Sequence, residues 1–263
     1  MVADEVLTYY RRGGERDRLA GGAGKLEFLR TWDVLRRVLP PAPAEVLDVG
    51  GATGIYAGPL AAAGYAVHVV DPVDLHVLSA GRLPGVTAEM GDARSLPGAD
   101  ASADAVLLLG PLYHLPSRDD RIRAWREAAR VVRPGGPVVG ATISRFASLL
   151  DGFVKGYFAE PPFRPLVERA LSDGLHLNVS ARTWFTTAYF HHPDELAGEV
   201  LDASLRLDRI VSVEGPLWMS ESRLDAILAD ADQTALMLEM LRRVEAEPSL
   251  LGASSHVLTV ARR

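Results

Sequence analysis

The chain has 263 residues, 48% of them hydrophobic and 24% charged, which suits one large globular domain or one domain with a sizeable insertion. A net charge of −6 leaves no basic footprint for a nucleic-acid backbone, and the lack of cysteine excludes disulfides and thiolate metal sites. No apolar run is long enough to span a bilayer and the acidic start does not read as a signal peptide, so a cytoplasmic protein is expected, with neither membrane nor nucleic acid as partner.

Met1 to Gly24 is polar, with Tyr9-Tyr10, Arg11-Arg12 and several glycines. It reads as an arm that is either mobile or orders over a bound ligand, with Tyr10 the candidate contact. From Lys25 to Leu39, apolar residues at Leu26, Leu29, Trp32, Leu35 and Val38 recur at helical spacing, and Pro40, Pro41 and Pro43 stop the helix. Arg30 lies on this helix, as a structural salt-bridge partner or as a contact for a ligand carboxylate.

Glu45-Val46-Leu47-Asp48-Val49 is an apolar run that contains an acid, and Gly50-Gly51-Ala52-Thr53-Gly54 follows as a glycine-rich turn. An alanine-rich helix is expected from about Ile55 to Ala63. Strand, tight loop and helix make the opening unit of a nucleotide-binding α/β fold. The next strand, Ala66 to Asp71, ends in an acid 21 positions after Gly50, a spacing that suits a carboxylate gripping a ribose diol.

After Pro72 comes an apolar-periodic helix through about Arg82, then a short strand, Val86 to Met90, ending at Gly91-Asp92-Ala93. Asp104 to Gly110 is a near-continuous apolar strand, as burial on both faces requires. The loop Pro111 to Pro116 carries Tyr113 and His114. A helix from Arg118 to Val132, the turn Arg133-Pro134-Gly135-Gly136 and a strand from Pro137 to Ile143 follow. This alternation predicts an α/β, doubly wound, mostly parallel sheet, in which ligands bind at the carboxyl ends of the strands. Gly50, Asp71, Asp92 and Gly110 all fall at such ends.

The motifs LDVGGATG (47–54), terminal Asp71, GDA (91–93), LLLGPLYHL (107–115) and RVVRPGG (130–136) together resemble the class I S-adenosylmethionine-dependent methyltransferases, in that family's order. The resemblance spans roughly Glu45 to Ser144 and implies a Rossmann-like seven-stranded sheet. A helix at Pro193 to Asp202, a strand near Leu207 to Glu214, a helix from Glu221 to Glu245 and an antiparallel last strand, His256 to Ala261, would complete it. One departure stands out: the family loop is usually Gly-x-Gly-x-Gly, and Ala52 takes the middle place. A slightly shifted loop is expected.

The resemblance implies S-adenosyl-L-methionine as cofactor and S-adenosyl-L-homocysteine as product. By position, Asp48 would steady the loop and face the methionine amine, and Gly50, Gly51 and Gly54 would let the backbone approach. Asp71, followed by Pro72, would hold the ribose hydroxyls. Asp92 and the Ala93 backbone would read adenine, and Leu109 and Gly110 would offer backbone atoms to the amine. Tyr10 and Arg30 complete the expected cofactor contacts. His114, with Tyr113 and Arg145, is the candidate base or substrate-positioning group, since a histidine titrates near ~6.5 and shifts easily.

Arg145 to Phe190 interrupts the alternation with 46 residues holding nine of the chain's 18 aromatics. It is read as a substrate lid with an apolar or aromatic-lined pocket, although a small insertion also needs a core of its own. His191-His192, just before Pro193-Asp194-Glu195, fits a helix cap rather than a catalytic pair, and no acids repeat at metal-ligand spacing. The expected parts are therefore an arm and helix (1–44), a cofactor-binding core (45–144), an insertion (145–192) and a C-terminal completion of the sheet (193–263). A small-molecule substrate is implied, with acceptor atom and oligomeric state open. A nicotinamide-binding fingerprint fails, because counting from Gly50 its later glycines would fall on Ala52 and Ile55. A catalytically idle binding protein of the same fold is the remaining alternative.

Overall fold

The structure is a computed structural model that describes residues 4–11, 18–177 and 184–263. The expectations for the rest of the arm (1–3, 12–17) and for residues 178–183 of the insertion lie outside the described residues. Helix α1 is Asp4–Arg11 and α2 is Gly22–Val38. The alternation then runs β1 Glu45–Val49, α3 Ala57–Ala62, β2 Ala66–Asp71, α4 Asp74–Ala80, β3 Val86–Met90, β4 Ala105–Leu108, α5 Arg118–Val131 and β5 Pro137–Ser144. The insertion holds α6 Ala147–Val154, α7 Phe163–Asp173, β6 Leu175–His176 and β7 Ala188–His191. The chain closes with α8 Pro193–Asp202, β8 Arg206–Ser212, α9 Glu221–Ala229, α10 Ala231–Val244, α11 Pro248–Leu251 and β9 His256–Arg262.

Among the described residues the sheet has nine strands, not the expected seven. The order β3-β2-β1-β4-β5 is parallel, and β9 runs antiparallel along β5 from Pro137↔Arg262 to Ile143↔His256, with β8 antiparallel outside it. The extra two strands come from the insertion: β6 and β7 form an antiparallel pair, and β7 joins the last turn of β5 at Ile143↔Phe190 and Ser144↔His191. β4 pairs with β5 only as far as Gly140, so β7 takes up that edge just beyond the carboxyl end of β4.

The apolar run of β4 is explained by its two faces. Val106 and Leu108 pack with Trp125 of α5, while Ala105 and Leu107 pack with Val34, Leu35 and Leu60 from α2 and α3. All four strand residues are fully buried. The expected single helix from Glu221 to Glu245 is broken. The Asp230 carboxylate accepts from the backbone N–H of Asp232 and Gln233, which caps a new helix at Ala231. At His192 the expected cap forms, its ring accepting from Asp194 N while Glu195 reaches back to the His192 N–H. No helix among the described residues is long and apolar enough to cross a membrane.

Candidate functional site

In-register pairing of Val49 with Val70 and with Leu108, and of Asp71 with Met90, aligns the carboxyl ends of β1, β2, β3 and β4 along one rim. A cleft opens there. It is lined by Asp48 to Ala52, Asp71 to Val73, Gly91 to Ala93 and Leu109 to Leu115 except Leu112, and α1 lays Val6, Leu7 and Tyr10 across it. The rim is drawn tight by close backbone packing. A Cβ on Gly110 would sit 2.8 Å from the Gly50 carbonyl oxygen, and one on Gly51 would sit 2.5 Å from Asp48 Oδ2. Glycine is required at both places by steric contact.

Asp48 is the electrostatic centre of this cleft. Its side chain is fully buried, and neither carboxylate oxygen has a hydrogen-bond partner among the described residues. Burial, with the Asp71 charge nearby, pushes its pKa up to about 7. An ionised carboxylate left in this state is costly, so the site is built for a cationic or hydrogen-bond-donating neighbour.

Asp71 is also buried, but it is already engaged. One oxygen accepts from Ala52 N at 3.0 Å, and the other from Val73 N at 2.9 Å, with His76 Nδ1 at 3.0 Å. Its first contact holds Ala52 at φ +50, the left-handed region that alanine avoids, which is the local cost of lacking the middle glycine. Asp92 is paired through both oxygens with Arg94, which in turn reaches Asp120 at 2.8 Å. Those hydrogen bonds to Arg94 hold its carboxyl below the usual range, so at neutral pH it presents only acceptors. Pro72, Ala93, Leu109 and Gly110 line the cleft as expected from their places at the strand ends.

Three expected contacts are elsewhere. Gly54 takes φ +89, but a Cβ there would meet Leu83 at 2.5 Å; it seats the loop against the neighbouring turn and lines neither cavity described here. Arg30 is wholly buried in an ion cluster: Nε donates to the Val213 carbonyl, and the guanidinium pairs with Asp33 at 2.8 Å and Glu245 at 2.6 Å, tying α2 to the end of α10. Arg145 donates to the Phe190 carbonyl at 2.8 Å, to Tyr189 Oη and to Glu195 at 2.7 Å, pinning β7 and the start of α8. Both arginines line neither cavity, because tertiary carboxylates and carbonyls have taken their donors.

His114 faces the cleft in the turn after β4, with Tyr10 Oη 2.7 Å from its Nε2. Burial pushes its pKa down to about 4, partly offset by the Thr187 backbone and the Asp71 charge, so the ring is neutral at pH 7. Tyr113 stands edge-on to it, with ring centroids 4.7 Å apart, and Phe185 lies nearly parallel to it at 5.6 Å.

A second cavity, about 430 Å³, adjoins the first. Tyr10, Arg18, Glu27, Tyr113 and His256 line both, and the second is walled by Tyr9, Tyr157, Phe163, Trp184, Phe185 and Phe190. The aromatics of 145–190 thus build a small core and the wall of this chamber together, Phe163 and Trp184 packing on each other in the core while also lining the cavity.

Sequence reading missed the charged group at the junction. Arg18 pairs with Glu27 at 2.6 Å, His256 Nδ1 lies 2.6 Å from Glu214, and Glu27 is 3.7 Å away. Burial alone would push His256 down, but the two carboxylates hold it up at about 9. This trio brings ligand-type atoms within 4.8 Å of one another, yet Arg18, Ser254 and the His256 N–H already satisfy its carboxylates, and it stands as an ion-pair cluster. Its members lie far apart in sequence and share no motif.

Residues 47–140 match the profile of a methyltransferase domain. An uncharacterized methyltransferase of Mycobacterium tuberculosis (strain ATCC 25618 / H37Rv) is 42% identical over 101 residues, covering 38% of this chain and 40% of that protein. The chain therefore matches less than half the length of that curated relative. A demethylmenaquinone methyltransferase of Mycobacterium sp. (strain JLS) is 32% identical over 163 residues, 59% of this chain and 66% of its own. Among solved structures, a SAM-dependent methyltransferase from Methanosarcina mazei superposes with a TM-score of 0.58 at 18% identity, covering 88% of this chain and 96% of that one, which shows a shared fold.

Proposed function

We propose that the chain, whose residues 47–140 match a methyltransferase domain, is a class I S-adenosylmethionine-dependent methyltransferase that moves a methyl group to a small-molecule acceptor held in the aromatic chamber. The observation that carries this reading is Asp48: a buried carboxylate with no hydrogen-bond partner among the described residues, lining a cleft formed by four strand ends and adjoining a second cavity.

The residues present fit the cofactor. The unpartnered Asp48 would face its ammonium group, with Leu109 and Gly110 offering backbone atoms alongside. Asp71 Oδ2, which accepts from Ala52 N, has acceptor capacity left for a ribose hydroxyl. Asp92, its acceptors partly spent on Arg94, and the Ala93 backbone would meet the adenine edge. When bound, the cofactor supplies a methyl group already activated by its sulfonium.

The protein's task is then placement. Holding two reactants in line is worth roughly 7–11 kcal/mol at the ideal limit. Tyr113 and Tyr10 stand where the two cavities meet, with His114 beside them in the cleft, and the three would orient the acceptor. His114 is a poor base at about 4 but a competent hydrogen-bond acceptor, so its role is to position a proton-bearing acceptor and relay through Tyr10 rather than to drive deprotonation. Helix α1 crosses the cleft, so this reading makes α1 the lid that admits the cofactor, with α2 of the same N-terminal part (1–44) packed on the sheet, and makes 145–192 the acceptor-binding part. A demethylmenaquinone methyltransferase among the relatives supports including quinol-like rings among the acceptors tested.

Calorimetric titration with S-adenosylhomocysteine tests the reading. Binding is expected in the wild type, and Asp48→Asn should weaken it by about 1.5–3 kcal/mol, the worth of a charged hydrogen-bond partner. No binding in the wild type would overturn the proposal. With an acceptor in hand, His114→Ala should lower turnover more than cofactor affinity.

A further inference from the structure

The aromatic chamber contains a buried histidine that the reading above leaves unused. His176 of β6 is 2% exposed and lines the chamber. Its ring stacks on Phe190, with centroids 4.8 Å apart and planes at 15°. Ser148 Oγ, on α6, lies 2.9 Å from Nδ1. The ring is therefore clamped on its face and at one nitrogen. The other nitrogen, Nε2, has no hydrogen-bond partner among the described residues.

Buried side-chain nitrogens are nearly always paired, because leaving one unpaired costs the desolvation of the group. Here that nitrogen shares the chamber wall with Ile143, Phe163, Trp184 and Phe185, while Arg18, Glu27, Asp151, Lys155 and Glu214 also line the cavity. A ligand in the chamber would supply the missing partner. Burial pushes the imidazole down to about 4 against a smaller upward pull from the Phe185 backbone, which makes no hydrogen bond of normal geometry to Nε2, so the ring is neutral at pH 7 and offers no charge to a carboxylate or phosphate. A neutral imidazole carries one N–H and one lone pair, and the Ser148 hydroxyl rotates to donate or accept. Nε2 can thus meet either a hydroxyl or a carbonyl oxygen. The flat aromatic walls select a flat partner around that oxygen.

Building on the methyltransferase reading, we infer that His176, oriented by Ser148, is the recognition group for a neutral ring-borne oxygen, and that the acceptor is a flat aromatic or conjugated ring carrying a hydroxyl or oxo group. His176 is a binding residue in this scheme. Tyr10 and Tyr113 at the cavity junction, and His114 beside them, remain the groups that line the cleft.

Equilibrium dialysis of the full chain, saturated with S-adenosylhomocysteine, against 2-naphthol and the isosteric 2-methylnaphthalene tests this. The wild type should prefer the naphthol by about tenfold, the worth of one satisfied buried hydrogen bond. His176→Phe should abolish the preference by weakening naphthol alone, and Ser148→Ala, which keeps the ring but frees it, should narrow it. The His176 Nε2 nitrogen-15 resonance should move on adding naphthol and stay still on adding methylnaphthalene. If His176→Phe does not fold, Ser148→Ala and the resonance decide. Equal affinities in the wild type, a preference that survives the substitutions, or an unmoved resonance would overturn the inference. Failure to bind S-adenosylhomocysteine in the same sample would instead overturn the methyltransferase reading.

Discussion

Replacing Asp48 by asparagine separates what this carboxylate costs from what it does. In the folded chain its pKa is raised from the ordinary 3.8 to about 7, chiefly by burial. Between those two values the folded state keeps a proton that the unfolded state has released, so stability must fall as pH rises through that window. A shift of about three units corresponds to roughly 4 kcal/mol in all, of which about 2–3 kcal/mol is lost between pH 5 and 8. Asparagine also leaves a buried polar group, at a cost of about 1–3 kcal/mol, but that cost does not depend on pH. Thermal melts of the cofactor-free wild type and Asp48→Asn at pH 5 to 8 should therefore diverge, the wild type losing roughly 5–10 °C relative to the variant. Binding should show the reverse. A cationic group beside Asp48 favours its ionised form, so S-adenosylhomocysteine binding at pH 6 should release close to one proton from the wild type and none from the variant, read from calorimetry in buffers of different ionisation heat. Parallel melting curves, or equal proton release, would show that Asp48 is not the buried, unpaired charge described above.

Ala52→Gly should relieve the left-handed strain at φ +50, about 1–2 kcal/mol, against about 0.5–1 kcal/mol of added chain entropy, so a small rise in melting temperature is expected and a fall would refute the strain. Glu199→Ala strands Arg121, which is 2% exposed and 2.7 Å from Glu199, and should cost about 3–5 kcal/mol in urea unfolding; a loss under about 1 kcal/mol would mean the pair is dispensable. His256 has a folded pKa of about 9, above the ordinary 6.5. Its contribution to stability is complete below pH 6.5 and lost as pH rises to 9, so His256→Gln should flatten the wild-type decline in that window, and an unchanged decline would assign it to another group.

The cofactor cleft was legible in sequence because its parts are local. Each strand ends in a residue that sits on the rim: Gly50, Asp71 and Gly110 follow largely buried apolar runs, and Asp92 follows the half-exposed edge strand β3, placed by the regular strand–helix alternation. The cap at His192 was equally local, a ring and an acid within one helical turn. The broken helix at Asp230 carried the same kind of signal, an aspartate able to cap, but the continuous apolar periodicity on both sides masked it.

Everything that depended on long-range pairing was decided by the fold. Arg30 and Arg145 are strong ligands for anions in isolation, and only tertiary packing shows that Glu245, Asp33, Glu195 and backbone carbonyls take their donors first. The sequence marks Asp48 only through the motif it belongs to; its lack of a hydrogen-bond partner among the described residues is a property of the closed core around it. Periodicity marks which residues are buried, since that is set by a few neighbours along the chain. Which charges meet inside is set by crossovers that bring Arg18, Glu27, Glu214 and His256 together, and no local pattern encodes that meeting.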